Sequence, residues 1–431
     1  MKKIIKDTVF FAGANIISFF ITAFGGFFIA KILGPKDYGG YSAYKLFISY
    51  TINLQLGILQ GLQREIPLLK AQKKKDKLNS LLNSAFSFNF LTSLIAIALL
   101  LFISFHSSFF FKKVFLMTLP LVPFFFFKEF YRFSMRGLER FKELSFLNVF
   151  DGFSAILIVI ILSLILKGEG AVFGFALSNL IYFLVAFYLT RIFFFKIRIN
   201  FDEIKLLFKV GFPIFAIGIL NTFIFSVDRI FILGLQGRES YGIYAIALNF
   251  INLIYQIPIA FSLVLLPYLV RKKVIEGSLS YFLIKNDFVI PLYLFALSLI
   301  VFVFYPATIW VILKFLPKYK ESLPVVKLLL LLIPFTTLNY FFYSFLIAEN
   351  KHLYIIPYHL ILLPLSVIIN SILIPKFGLK GAALSFIISQ SLFTLIVMIL
   401  TYRYIKFKFY RIMLSVISIS TFHFLIFEFI F

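Results

Sequence analysis

The chain has 431 residues, of which 61% are hydrophobic and only 14% charged, and its mean hydropathy is +1.01. Soluble domains carry about 25% charged residues, so this composition cannot clothe a water-facing surface and excludes a soluble catalytic protein. The net charge of +24 would suit nucleic acid, but the basic residues lie between apolar runs rather than in one patch, which excludes that partner too.

Apolar runs of about 20 residues recur from end to end, the length that crosses the hydrocarbon core of a bilayer. No water reaches backbone groups there, so a spanning segment is a helix or part of a closed barrel. The runs are continuous rather than alternating, which selects helices. The expected fold is all-α, a polytopic membrane bundle of about 12–14 helices. In chain order the spans read 9–32, 41–63, 80–105, 114–131, 144–166, 171–190, 207–235, 241–268, 287–313, 324–347, 354–374, 381–402 and 410–431. The first run is longer than the apolar core of a secretory signal, so it reads as a retained helix.

Lys and Arg crowd the ends shared with the N-terminus: Lys2, Lys3 and Lys6; Lys70, Lys73, Lys74, Lys75 and Lys77; Arg132, Arg136, Arg140 and Lys142; Arg271, Lys272 and Lys273; Arg403, Lys406 and Lys408. The opposite loops hold only scattered cations such as Lys112, Lys113, Lys167, Lys376 and Lys380. This asymmetry places the N-terminus in the cytoplasm and the protein in the cytoplasmic (inner) membrane, with some attraction to anionic lipid headgroups. Lys70 to Lys77 is a solvated turn.

Between spans 1 and 2 stands Leu33-Gly34-Pro35-Lys36-Asp37-Tyr38-Gly39-Gly40-Tyr41, and between spans 7 and 8 stands Gln236-Gly237-Arg238-Glu239-Ser240-Tyr241-Gly242-Ile243-Tyr244. Gly174-Phe175-Ala176-Leu177-Ser178 in span 6 likewise matches Gly381-Ala382-Ala383-Leu384-Ser385 in span 12, and Glu139 fainter matches Glu349. Matches in the same order at nearly one spacing indicate a duplication. Two pseudo-symmetric six-helix lobes result, residues 1–200 and 201–402, with an additional helix in 403–431. The duplicated unit has an even number of spans, so the lobes share one orientation and a site between them is expected. The second lobe opens on Asn200 to Lys209, which reads as a short amphipathic helix along the inner surface.

These same residues resemble a known family. Leu33-Gly34-Pro35-x-Asp37-Tyr38-Gly39-x-Tyr41, then Gly57 and Gly61-x-x-Arg64-Glu65, resemble the start of Wzx-type polysaccharide flippases of the multidrug/oligosaccharidyl-lipid/polysaccharide exporter superfamily. Val227-Asp228-Arg229-Ile230 and Pro375-x-x-Gly378-x-x-Gly381-Ala382-Ala383-x-Ser385 look like theirs as well. The resemblance implies transfer of a polyprenyl-diphosphate-linked oligosaccharide to the outer leaflet, with a glycan polymerase or glycosyltransferases as partners. That family shows twelve or fourteen spans, and the count here departs from both.

Charges inside spans are expensive and mark function by default. Lys45 in span 2 either snorkels to headgroups or faces a cavity. Asp151 in span 5 either neutralises Lys128 or Arg132 across a hairpin or serves the substrate. Asp228 and Arg229 in span 7 are adjacent, point along different faces and read as substrate or gate residues. Arg64 reads as a substrate contact or a topological anchor. Lys45 and Asp228 fall opposite Leu248 and Gly25 in the duplication, so they are additions to the repeated framework. Gly25 and Gly26 in span 1, and Gly211 and Pro213 in span 7, are hinge candidates.

The chain has no cysteine, and its histidines (His106, His352, His359 and His423) show no ligand spacing, so no metal or cofactor is expected. A membrane-embedded glycosyltransferase needs grouped acids in a sizeable loop, which is lacking. A cation-coupled exporter of small amphipathic molecules shares the body plan and stands as the alternative. Its acidic pocket is at odds with intramembrane carboxylates reduced to Asp151 and Asp228.

Overall fold

The computed structural model describes residues 2–190, 197–276, 279 and 288–429, and no strand occurs among them. Its helices, in order, are α1 Lys2–Thr51, α2 Ile58–Ala71, α3 Lys75–Phe105, α4 Phe109–Thr118, α5 Val122–Gly137, α6 Phe141–Thr190, α7 Phe201–Ile224, α8 Val227–Leu235, α9 Gly237–Glu276, α10 Val289–Phe315, α11 Ser322–Leu330, α12 Ile333–Ala348, α13 Ile356–Tyr404 and α14 Phe409–Phe429. Among the described residues, eight helical stretches are long and apolar enough to cross a membrane, and α11 with α12, bent by 46°, supply a ninth. The chain is therefore an all-α polytopic membrane bundle.

Three of those stretches double back. α1, α6 and α13 each contain one residue outside the helical region: Gly34 (φ 73, ψ 172), Lys167 (φ 49, ψ −129) and Gly378 (φ 61, ψ −134). In α6 a Cβ on Gly170 would lie 2.0 Å from the Leu162 carbonyl, and one on Gly174 would lie 2.9 Å from Val159 Cα. A straight helix rises about 1.5 Å per residue, so Gly174 would otherwise stand more than two turns beyond Val159. The chain has folded into a hairpin. Gly381 repeats the geometry in α13, its Cβ position 2.1 Å from the Leu373 carbonyl. α1 must fold likewise, because Gly25 touches Ile156 while Tyr44 touches Phe175, on the two arms of α6.

Lys167 holds a backbone that glycine adopts freely and other residues adopt at a cost of about 1–3 kcal/mol. Lys167→Gly is expected to raise the midpoint of thermal unfolding, followed by circular dichroism, by about 2–4 °C, the shift per kcal/mol for a unit of this size. A lowered midpoint would show that the lysine side chain holds the turn.

The duplication is visible in geometry. Gly34 and Gly237, both at positive φ, stand one turn before Tyr38 and Tyr241. Glu139 and Glu349 accept ion pairs from Lys70 at 2.9 Å and Lys273 at 2.5 Å, so that faint match marks a repeated clamp. The second match is one turn out of register. Gly170, not Gly174, is the counterpart of Gly381, since each lies three residues past the folded position and over the carbonyl two turns earlier.

The chain divides into two compact units, Met1–Ile219 and Leu220–Phe431. In unit 1, α1 and α5 pack on α6, α2 and α3 pack on α5, and Leu62, Phe130, Tyr131, Tyr182 and Leu207 meet in the core. In unit 2, α12 packs on α9 and α13, α8 on α13 and α9, and α14 on α10. Outward faces are apolar, with Leu164 at 67% and Val303 at 69% exposure, as lipid requires. Polar side chains lie inside, among them Ser84, Asn89, Ser178 and Asn370.

Asn200 to Lys209 does not form a separate surface helix. Asn200 receives the Asp202 N–H at 3.0 Å and α7 then runs unbroken from Phe201 to Ile224. Glu203 accepts a 2.5 Å hydrogen bond from the buried Ser84 hydroxyl, which ties this stretch into unit 1. Breaks fall elsewhere: at Pro120 between α4 and α5, at Phe225–Ser226 between α7 and α8, and at Leu331–Leu332 before Pro334.

Candidate functional site

The polar groups of unit 1 gather on α5 and α6. Lys128 and Arg132 are one turn apart on α5, so both face the same way. Asp151, on the first arm of α6, accepts from Lys128 Nζ at 2.7 Å and from Arg132 at 3.2 Å. The expected neutralisation thus occurs with both cations. Arg132 also donates to Glu129 at 3.0 Å. Tyr182, on the second arm of α6, offers its ring to Lys128 at 5.2 Å and to Arg132 at 5.6 Å. Lys128 and Asp151 are 6% and 9% exposed, so this is a buried, self-neutralised cluster. Tyr182 joins them only with the fold, because the folded α6 sets its second arm beside Asp151.

Lys45 and Arg64 stand outside this cluster. The Lys45 ammonium lies over the rings of Tyr41, at 5.2 Å, and Phe175, at 5.6 Å, on an exposed face of unit 1. Arg64 is exposed on α2. Neither forms an ion pair among the described residues.

Two of the glycines named as hinges, Gly25 and Gly211, sit at close helix contacts. α1 passes through Gly25 and Gly26 without a break, and Gly25 leaves room for Ile156. A Cβ on Gly211 would fall 1.9 Å from the Gly57 carbonyl and 2.6 Å from the Gly61 nitrogen, so α7 meets α2 backbone to backbone. Pro213 lies inside continuous α7.

In unit 2 the break at Ser226 opens α8, and Asp228 enters its first turn, where a carboxylate suits the helix dipole. Asp228 is 2% exposed and accepts a 2.5 Å hydrogen bond from Tyr244 of α9, also fully buried. Arg229, one residue on, turns the other way and lines a cavity of about 350 Å³. Asn221, Asn252, Asn339 and Gln390 supply amides to its wall, and Tyr255, Tyr340, Tyr343, Phe225, Phe386 and Phe393 supply rings. None of the lining residues is acidic. His359, fully buried, holds Asn221 at 2.8 Å through Nε2 while its Nδ1 meets the Ile355 carbonyl at 2.9 Å. Asn339 is 8% exposed, and its Nδ2 has no hydrogen-bond partner among the described residues. Sequence reasoning reached Arg229 but missed the amides. The signal was there, since Asn and Gln within spans are costly for the same reason as charges. No group of three His, Cys, Asp or Glu suited to a metal occurs among the described residues.

Residues 4–273 match the family model described as "Polysaccharide biosynthesis protein". No curated protein matches the chain in sequence. Among solved structures, the lipid II flippase MurJ in an inward closed conformation is similar at a TM-score of 0.74 and 17% identity, over 98% of this chain and 93% of that one. An inward-facing multidrug resistance transporter of the MATE family is similar at 0.59 and 14% identity, over 95% of each chain. A transporter of the same MOP superfamily from Pyrococcus furiosus is similar at 0.55 and 12% identity, over 95% of this chain and 96% of that one. At such identities the structural likeness speaks for the fold.

Proposed function

The chain belongs to the polysaccharide biosynthesis protein family, and from that premise we propose that it flips a polyprenyl-diphosphate-linked oligosaccharide from the cytoplasmic to the outer leaflet of the cell membrane. Family membership over residues 4–273 is the observation that carries this reading. The physics of the task agrees with the residues. A polyprenyl tail can stay in hydrocarbon throughout, whereas a diphosphate and a sugar chain cannot cross it unsolvated. The protein has to offer polar surface within the membrane and expose it to each side in turn. No bond is made or broken, and the chain is a transporter rather than an enzyme. Gly25, Gly26, Gly211 and Pro213 are proposed as the positions where helices yield during alternating access, and the N-terminus is placed in the cytoplasm by the charge asymmetry.

Lys45, Arg64 and Arg229 are the proposed contacts to the anionic and polar headgroup, with Asp228 holding α8 so that Arg229 keeps its aim. Asp151 is proposed to set the charge balance of Lys128 and Arg132. The small-molecule exporter is disfavoured because both intramembrane carboxylates already have partners, Asp151 two cations and Asp228 the Tyr244 hydroxyl.

The test is expression in a bacterium that lacks its own oligosaccharide flippase, with surface glycan as the readout. Restored glycan supports the proposal. Resistance to cationic drugs without glycan would replace it by the exporter reading. In the restored strain, Arg229→Ala and Asp228→Ala are each expected to cut surface glycan by about tenfold or more, the loss that follows about 1.4 kcal/mol. Their amounts in the membrane fraction should match the parent. Undiminished glycan from both variants would take these residues out of the transport path.

A further inference from the structure

We infer that the cavity within unit 2 is a seat for a neutral sugar ring of the transported headgroup, an inference that rests on the flippase reading. Its chemistry is selective. A diphosphate would demand several cations, and Arg229 is the single one in the wall. A monovalent cation or cationic drug would demand a carboxylate, and the wall has none. What the wall offers is amides, phenols and flat aromatic faces. An amide carries a donor and an acceptor on one rigid plane, which matches a pair of neighbouring sugar hydroxyls. The C–H face of a pyranose has the shape and polarity to lie on the rings of Tyr340, Tyr343 or Phe393.

The strongest indication is Asn339. Its Nδ2 is buried with no hydrogen-bond partner among the described residues, and an amide left so is costly, by about 1–3 kcal/mol. Asn339 lines the cavity, so a small turn of its amide would bring Nδ2 to a hydroxyl arriving there. Asn221 is held at the same wall by His359, which fixes its direction before any ligand arrives. Asn252 is exposed and marks the mouth. A volume near 350 Å³ lies at the small end of ligand pockets, about 300–1,000 Å³. It suits a terminal ring rather than the whole oligosaccharide.

The experiment uses the full-length protein in lipid nanodiscs and saturation-transfer NMR with three probes: methyl glucoside, methyl galactoside and methyl N-acetylglucosaminide. At least one glycoside is expected to receive saturation. Asn339→Leu and Gln390→Leu, which keep side-chain volume and remove an amide, are each expected to weaken that glycoside about tenfold. Tyr343→Trp, which fills the space and leaves the amides in place, is expected to abolish it. Gel filtration and thermal unfolding select the variants that remain folded. No signal for any glycoside on the folded parent, or a signal that survives all three substitutions, overturns the inference. Competition of the signal by tetraphenylphosphonium or by sodium would also overturn it, in favour of a cation site. The surface-glycan assay separates the two failures. Parent-level glycan from Asn339→Leu and Gln390→Leu overturns the sugar seat and leaves the flippase reading standing. Absence of glycan with the parent protein itself is the failure of the flippase reading.

Discussion

Asp151→Ala is expected to leave little folded protein in the membrane. Asp151 is the shared acceptor of Lys128 and Arg132, and Arg132 alone keeps a second carboxylate in Glu129. Lys128, 6% exposed and deep in unit 1, would be left as a buried cation without an ion-pair partner in contact among the described residues. Removing one partner of a buried pair costs about 3–5 kcal/mol, a large part of the roughly 5–15 kcal/mol that holds a folded domain together. The combined Lys128→Met, Asp151→Leu variant removes both charges and fills the space with apolar atoms. Such replacements are near neutral or stabilising, so its thermal midpoint should return to within a few degrees of the parent. Surface glycan then reads out the role of the cluster. If stability and glycan both return, the cluster serves the fold. If stability returns while glycan stays absent, the charges act in transport. A well-folded Asp151→Ala protein would show that Lys128 finds another partner or loses its charge.

Gly211→Leu is expected to be as damaging for a different reason. The α2–α7 contact in unit 1 brings the Gly211 Cα so near the Gly57 carbonyl that an added Cβ would stand 1.9 Å away. The obstacle is backbone on both helices, with no flexible side chain to move aside. Overpacking a core costs about 1–3 kcal/mol even where side chains can shift, and here α7 itself must retreat. Retreat would pull Leu207 from the core and strain the Ser84–Glu203 hydrogen bond. The measurement is the fraction of detergent-extracted protein that elutes as a monodisperse species. A sharp loss is expected already with Gly211→Ala, which adds only the clashing Cβ, and a near-total loss with Gly211→Leu. Equal recovery of Gly211→Leu and parent would mean that α7 can slide along α2 at no cost.

The spans were legible because hydrocarbon imposes a single strong rule, about 20 apolar residues in a row, and the chain obeys it almost everywhere. Breaks were less legible. Pro120 and Pro334 stand at or just after theirs, while the break at Phe225–Ser226 and the turn at Lys167 lie in residues with no special backbone habit. The duplication was readable from Tyr38-Gly39 and Tyr241-Gly242. Its register in the second match was not, because glycine is abundant around both turns and only three-dimensional contact picks Gly170 as the partner of Gly381. Asn200 to Lys209 misled for a local reason. Its polar face is answered within unit 1 by Ser84, so it needs no bilayer surface. The site was half legible. Charge singled out Asp151, Asp228 and Arg229, whereas Asn339, Gln390 and Tyr182 are ordinary residues until distant turns of chain bring them together.

The hairpin turns at Gly34, Lys167 and Gly378 bear on how the protein is made. A turn of one residue leaves no loop that could be threaded across the bilayer after its first helix has settled. Each pair is then expected to enter the bilayer together, the backbones of its two arms already shielding each other. Lys36 and Lys167, at or beside the turns, then rest on two apolar arms instead of one. Helices that fold back on themselves in this way are expected to insert as pairs rather than as single stitches.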